Sequence, residues 1–174
     1  MPDLTIPCKN SRFLTDTRLE VGDNSTVLYG EILVPGRIHH SPEEYFGFDV
    51  YSACVRAYNK QGKELFCEKF VIEPKKQDLQ QLGMLQGFEI YGNVILLTPK
   101  EHADAIFEQM DAKFSVKDRV ASGVSRLPND AGLIFKVLGK EVKPVRERIH
   151  EFWRVVRKVV KGAELPDPFL WRPY

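Results

Sequence analysis

Two glutamates stand in rows of otherwise apolar side chains. Alternate residues of a β-strand share one face, and two β-rich segments each place one carboxylate in such a row. The rows are Val27, Tyr29, Glu31 and Leu33 in the first segment and Phe66, Glu68, Phe70 and Ile72 in the second. An ionised carboxylate is costly there unless an arginine, a hydrogen-bond network, a metal ion or internal water compensates its charge. The two rows therefore predict a polar interior at Glu31 and Glu68.

Two kinds of partner could compensate the charges of these glutamates. In the structural interpretation, each glutamate pairs with an arginine, Arg37 and Arg56 being the nearest in sequence, or lies on an exposed face. Structural ion pairs also perturb acids, so the residues alone favour this interpretation. In the other interpretation, Glu31 and Glu68 contact a metal ion.

A second candidate for metal binding is the loop that sets His39 and His40 beside Glu43 and Glu44. Imidazole and carboxylate together suit nickel or zinc. Adjacent loop residues of these types are more often simply solvated, so the pattern is weak. The spacing of the four histidines builds no closed metal site.

The motifs of the common catalytic classes are absent. Gly62-Lys63 and Gly139-Lys140 lack the earlier glycine of a phosphate-binding loop, and glutamate follows each pair where a magnesium-ligating hydroxyl belongs. No G-x-S-x-G or H-E-x-x-H occurs. We expect the protein not to be an enzyme. The alternative is a small β-rich enzyme whose site gathers Glu31, Glu68 and a histidine.

The elements that must position these residues are mainly strands. Period-two patterns and turn signals predict six of them. They cover residues 26–34, 48–58, 64–73, 88–97, 122–127 and 132–138. The second and third form a hairpin whose loop has two to four residues, and a loop of four residues would set Cys54 opposite Cys67. We expect packed, reduced thiols there rather than a disulfide.

Two helices complete the predicted fold. Thr98-Pro99-Lys100-Glu101 is a capping box with proline in the first turn, and an apolar stripe follows it. A longer helix extends from Pro144 to Gly162 with one apolar face. The opposite, basic side carries Arg146, Arg148, Arg154, Arg157, Lys158 and Lys161. A tail rich in proline and aromatic residues, 165–174, is expected to pack on a surface.

Length and charge bound the function. The chain has 174 residues, 43% hydrophobic and 28% charged, which fits a single globular domain over residues 1–174. Lys and Arg number 25 against 24 Asp and Glu, so no global positive field favours nucleic acid. The sequence shows neither a secretion signal nor an apolar run of ~18 residues. We therefore expect a cytoplasmic protein without nucleic-acid or membrane partners.

Several of these segments together resemble the urease accessory protein UreD family, called UreH in some organisms. The similar segments, in order, are residues 29–37, 48 onward, 64–74, 123–128 and 132–139, the helix around Trp153 and the ending Trp171-Arg172. The resemblance implies a non-catalytic scaffold for nickel-urease maturation, with stacked, β-helix-like strands and two helices. The implied partners are the urease apoprotein, UreF and, through UreF, the GTPase UreG. The resemblance also implies that nickel passes through an internal tunnel in transit and that no cofactor is stably bound.

The resemblance also implies roles for individual residues. Glu31 and Glu68 become transient oxygen ligands on a polar nickel path. The basic helix and the tail become candidate UreF contacts, through Arg146, Arg154, Arg157, Phe169 and Trp171. Three residues are expected to be structural, with Arg37 in a fold-fixing ion pair: Gly36, Arg37 and Trp153.

The similarity is to the C-terminal portion of a normally longer family. We therefore expect the fold to be incomplete on its N-terminal side, with an unpaired strand edge. His39-His40 departs from the small or basic residues usual there, so the resemblance does not support a metal role for that pair. Besides the small enzyme, a generic protein-interaction module without a nickel role stays open.

Overall fold

Three layers make up the structure, a computed structural model that describes residues 2–165. The strands in this range are β1 (Leu4–Thr5), β2 (Arg12–Val21), β3 (Val27–Leu33), β4 (Val50–Asn59), β5 (Glu64–Ile72), β6 (Ile90–Leu97), β7 (Lys113–Ser115), β8 (Val120–Arg126) and β9 (Gly132–Gly139). The two α-helices are α1 (Lys100–Phe107) and α2 (Val142–Lys161). The predicted fold, mainly β with two helices, is confirmed.

The strands form two sheets. The large sheet has the order β1-β3-β6-β9-β8-β7, and the small sheet has the order β2-β4-β5. Paired strands are antiparallel except for β1 with β3 and β2 with β4, which are parallel. The stacked, β-helix-like arrangement implied by the resemblance fits two facing sheets and stays a prediction. β2 is an edge strand of the small sheet, with the Leu14 side chain largely exposed.

One face of the large sheet packs against the helices. Alternation sends Val94 and Phe135 to this face, where the Phe152 ring of α2 stacks on Phe135 with centroids 4.8 Å apart. The α2 side chains buried in this layer are Val145, Ile149, Phe152 and Val156. The helix ends at Gly162, which adopts the left-handed conformation at φ 60°. The apolar stripe predicted for this helix is therefore confirmed.

The opposite face of the large sheet packs on the small sheet. Ile95 and Leu97 of β6 share a buried cluster with Val55 and Ala57 of β4. A neighbouring cluster joins Leu33 of the large sheet to Tyr51 and Ile72 of the small sheet, among others. Polar residues that share the alternation of Ile95 must also project between the two sheets.

The hairpin of the small sheet has a loop of four residues, 60–63, between β4 and β5. The side-chain oxygen of Asn59 accepts from the amides of Gln61 and Lys63 and closes the turn. A bulge between Ala57 and Tyr58 shifts the pairing, so Cys54 lies opposite Lys69 and Cys67 opposite Arg56. The placement of Cys54 opposite Cys67, which was expected if the loop had four residues, is therefore not found. Both thiols are free as expected, although only Cys54 is buried.

The predicted capping box is also wrong. The residue that precedes the first turn of α1 is Pro99, and no side chain caps the helix there. The buried Thr98 hydroxyl instead forms a 2.8 Å hydrogen bond with the Thr26 hydroxyl. Thr98 directly follows β6 and Thr26 directly precedes β3, the neighbouring strand. The Thr98 hydroxyl therefore binds Thr26 instead of an amide of the first turn of α1. No helix within residues 2–165 is long and apolar enough to cross a bilayer.

We expect Phe152→Ala to lower the free energy of unfolding by about 3–5 kcal/mol, because it removes a fully buried ring from the layer between α2 and the large sheet. Urea denaturation followed by circular dichroism measures the loss. The control, Glu147→Ala on the exposed side of the same helix, should change stability by less than about 0.5 kcal/mol. Equal effects of the two variants would contradict this packing of α2.

Candidate functional site

A small cavity between the two sheets brings the two predicted glutamates together. Its volume is about 10 Å³, room for about one water molecule or one ion. The residues that line it are Glu31, Leu33, Tyr51, Ala53, Val55, Glu68, Phe70, Tyr91 and Asn93. Glu31 comes from the large sheet and Glu68 from the small sheet, so the site exists only where the sheets meet.

Strand register explains why polar groups gather here. In the large sheet, Glu31 pairs with Asn93, and Asn93 pairs with Lys136. These three residues form one row across β3, β6 and β9, which we call the polar row. The row has the alternation of Ile95, so it faces the small sheet, where Glu68 projects from β5.

The polar row compensates the charge of Glu68. The Asn93 side-chain amide donates a 2.8 Å hydrogen bond to Glu68 Oε2, and the Lys136 ammonium lies 2.5 Å from Glu68 Oε1. The Glu68 side chain is 17% exposed and that of Lys136 is 46% exposed. The ion pair therefore stands at the border between the interior and solvent.

A tyrosine compensates the charge of Glu31. The Tyr29 hydroxyl donates a 2.7 Å hydrogen bond to Glu31 Oε1 and lies 3.3 Å from the Thr17 hydroxyl of β2. Burial, together with the Glu31 charge, raises the pKa of Tyr29 to about 12. Tyr29 therefore keeps its proton at neutral pH and remains a donor. The contact with Thr17 extends the polar connection across to the small sheet.

Two oxygen atoms at the cavity keep hydrogen-bonding capacity. Asn93 Oδ1 and the Tyr91 hydroxyl are buried and have no hydrogen-bond partner among the described residues. Burial raises the pKa of Tyr91, with the charges of Glu68 and Glu31 acting in the same direction. Buried polar atoms without partners are costly, so a water molecule or a cation bound here would satisfy them.

The donor set defines what the cavity could bind. Carboxylate, amide and phenol oxygens are hard ligands, which hold nickel less firmly than imidazole or thiolate does. Among the described residues, no three histidine, cysteine, aspartate or glutamate side chains group closely enough to hold a metal ion. The arrangement suits a single water molecule or a weakly held cation rather than a permanent metal centre.

The arginine partners predicted for the two glutamates are wrong. Arg37 lies 2.6 Å from Glu44, and Arg56 makes two 2.7 Å hydrogen bonds to Asp16. Each arginine is thus paired with another acid, while Lys136 and Tyr29 serve Glu68 and Glu31. The signal for Lys136 and Asn93 was present in the sequence. Lys136 interrupts the apolar row of Ile134 and Leu138, as Asn93 does between Tyr91 and Ile95.

The histidine loop does not gather a metal site. Glu44 is buried, accepts from Arg37 and accepts a 2.8 Å hydrogen bond from the Lys9 amide, while Glu43 pairs with the Lys9 ammonium. His39 and His40 are exposed. Both carboxylates of the loop therefore bind cations of the chain itself.

The turn before this loop requires glycine. Gly36 has φ +126°, and a Cβ at this position would lie 2.2 Å from the Glu44 carbonyl oxygen. The close approach brings the backbone of the loop against the Arg37 turn, where the Arg37–Glu44 ion pair forms. The geometry is compatible with the structural roles expected for Gly36 and Arg37, which stay predictions.

The expected partner residues on α2 are half-buried. Arg146 lies 3.4 Å from Asp3, and Arg157 donates a 3.3 Å hydrogen bond to the Glu164 carbonyl oxygen. Arg154 is also half-buried, whereas Phe169 and Trp171 lie outside the described residues. Trp153, for which a structural role is expected, is half-buried as well, and that role stays a prediction.

The placement of Arg148 on the outer face of this helix is wrong. Its buried guanidinium donates to the Ser122 hydroxyl at 3.0 Å and to the Asp111 carbonyl oxygen at 3.3 Å, and it pairs with Glu151. These partners lie in the helix itself, in β8 and in the segment after α1. Helical periodicity alone does not show them.

Comparison with known proteins gives consistent matches. A family model described as "UreD urease accessory protein" matches residues 1–172. Proteins named urease accessory protein UreD from Yersinia pseudotuberculosis and Yersinia enterocolitica are 51% and 48% identical over 99% of the chain. Urease accessory protein UreD 2 of Brucella suis is 44% identical over 98% of it. The chain spans about half the length of these relatives, 54%, 55% and 57% respectively.

We expect the Arg37–Glu44 pair to make stability depend on pH. The hydrogen bond from Arg37 holds the pKa of Glu44 below its usual value of 4.5. A lowered pKa in the folded state stabilises the protein above that usual value, and this stabilisation is lost as the pH falls through the lower, folded pKa. Glu44→Gln should therefore be less stable than the wild type at pH 7, and the gap should narrow on acidification.

Urea denaturation from pH 7 to pH 3 measures this gap. The control, Glu141→Gln, replaces an exposed glutamate and should follow the wild type across the range. A gap between Glu44→Gln and the wild type that is independent of pH would contradict the role of the carboxylate charge.

Proposed function

The chain belongs to the UreD family of urease accessory proteins, and on that premise we propose that it is a non-catalytic scaffold of urease maturation. In this role it binds the urease apoprotein and UreF, through which it meets UreG, and it assists the insertion of nickel into urease. GTP hydrolysis then belongs to the partner, in accord with the missing phosphate-binding loop.

The cavity between the sheets is the observation that carries the nickel role. Two carboxylates from different sheets meet there, beside Asn93 Oδ1 and the Tyr91 hydroxyl. An ion in transit needs ligands that attract it and still let it leave, which oxygen ligands without imidazole or thiolate provide for nickel. Glu31 and Glu68 are therefore proposed as transient ligands on an internal polar path.

The same cavity gives no support to the alternative of a small enzyme. Ligand pockets for organic molecules usually measure about 300–1,000 Å³, far above the size of this space. The histidine that the enzyme alternative required does not line it.

The proposed UreF contact is the basic side of α2 with the tail that follows. Arg154 and Arg157 lie one turn apart on the C-terminal half of the helix, which also carries Lys158 and Lys161. A basic face of this kind suits an acidic surface of a partner, because complementary charges steer and orient association. Arg146, Phe169 and Trp171 belong to the same proposal.

Neutralising both cavity carboxylates should impair nickel delivery. We expect Glu31→Gln with Glu68→Gln to lower urease activation at limiting nickel by about tenfold, because both charged ligands are lost while the side-chain shapes are kept. Excess nickel should restore part of the activity. Activation is measured in cells that express urease and the other accessory proteins, with this chain as their only UreD-type protein.

The matched control is Glu64→Gln, an exposed glutamate on the same strand as Glu68. It should activate urease as the wild type does. A double variant that folds, enters the complex and still activates urease fully at limiting nickel would contradict the proposed path.

The partner surface is tested separately. We expect the chain co-expressed with a cognate UreF to co-elute with it in size-exclusion chromatography, and Arg154→Glu with Arg157→Glu to abolish co-elution by reversing the charge of the helix face. Lys143→Glu, at the exposed start of the same helix, is the control and should still co-elute. A soluble chain that ignores UreF would favour a generic module instead.

A further inference from the structure

Glu68 already holds a cation that belongs to the chain. The Lys136 ammonium lies 2.5 Å from Glu68 Oε1, while Asn93 holds the other oxygen at 2.8 Å. Lys136 Nζ is also 6.0 Å from the centroid of the Tyr91 ring, which forms part of the cavity wall. The ammonium therefore sits where an incoming cation would meet the carboxylate.

Of the two residues in this ion pair, Lys136 is the one whose surroundings leave it room to move. Its side chain is nearly half exposed, so the ammonium can return to water, whereas Glu68 is mostly buried and fixed by Asn93. On the solvent side, Lys136 also lines an open groove with Phe114, Gly123 and Leu138. Gly123 is its cross-strand neighbour on β8, and no atom of the described part of the chain lies within 4 Å of where a Cβ of Gly123 would be. The displaced ammonium thus has room to move outward.

The charges of the cavity favour the entry of a divalent cation, but the Lys136 ammonium keeps the affinity for that cation low. Two carboxylates and one ammonium leave the cavity with one net negative charge, which attracts a divalent cation. Two carboxylates and one divalent cation are neutral, whereas retention of the ammonium beside that cation would leave one uncompensated positive charge. A divalent cation must therefore displace Lys136 from Glu68, and the returning ammonium opposes its retention.

We propose that Lys136 is a tethered counter-cation that competes with the divalent cation for Glu68 and so keeps the cavity from retaining its cargo. This inference rests on the proposed function of the cavity as a cation path. Asn93 is only 4% exposed, and its Oδ1 has no hydrogen-bond partner within residues 2–165. This buried acceptor is an independent sign that the cavity accepts a ligand.

The test measures binding of Ni²⁺ alone to the full chain by equilibrium dialysis, and release of the ion to a chelator by stopped flow. We expect Lys136→Met to bind Ni²⁺ about tenfold tighter and to release it correspondingly more slowly, because the competing charge is gone. Lys136→Arg should stay close to the wild type. In cells at limiting nickel, Lys136→Met should activate urease less, because the ion is retained.

Lys140→Met is the matched control. Lys140 directly follows β9, the strand that carries Lys136. It pairs with Glu89 in an ion pair of similar burial, and neither residue lines the cavity. It should leave Ni²⁺ binding unchanged. Thermal unfolding verifies that each variant folds, and Lys136→Gln, which keeps a polar side chain, replaces Lys136→Met if the latter does not.

The outcomes separate this inference from the proposed function. In one outcome, Glu31→Gln with Glu68→Gln weakens Ni²⁺ binding, but neither Lys136→Met nor Lys136→Gln tightens it. Lys136 is then only a structural partner of Glu68, so the inference is overturned, while the proposed cation path is supported. If the double glutamine variant binds Ni²⁺ and activates urease as the wild type does, the path itself is wrong, and the inference is overturned with it.

Discussion

The interior between the two sheets depends on the compensation of two half-buried carboxylates. Burying an ionised carboxylate without partners is too costly for a folded domain, so the side chains around Glu31 and Glu68 must supply donors. Tyr29, Asn93 and Lys136 do so from three strands of the large sheet. This requirement ties the register of β3, β6 and β9 to the placement of β5 in the opposite sheet.

The same compensation leaves the cavity incomplete. The donors bind both oxygens of Glu68 and Oε1 of Glu31, while Asn93 Oδ1 and the Tyr91 hydroxyl keep no partner among the described residues. A core built only for stability would place apolar side chains at such positions. The polar cavity is instead a feature that stability does not require, which is why it is the best candidate for function in this part of the chain.

Sequence patterns predicted the rows that carry Glu31 and Glu68 because alternation is a local property of each strand. The same alternation marks Asn93 and Lys136 as polar interruptions of apolar rows, but it does not pair them with Glu68, because that contact joins strands far apart in the chain. Local signals also failed where a tertiary contact replaced them. Thr98 bonds to Thr26 rather than capping α1, and a bulge moves Cys54 away from Cys67. Arg148 has the spacing of a surface residue and the partners of a buried one.

The order in which the chain builds its sheets has a consequence for folding. β2 enters the small sheet before β3 enters the large one, and β2 pairs in parallel only with β4, where Arg12 meets Val50. Neither sheet can be completed before the chain has passed through the other, so the contact order is high and the two sheets form one cooperative unit. A ligand bound between them therefore stabilises the whole domain against unfolding, rather than either sheet alone.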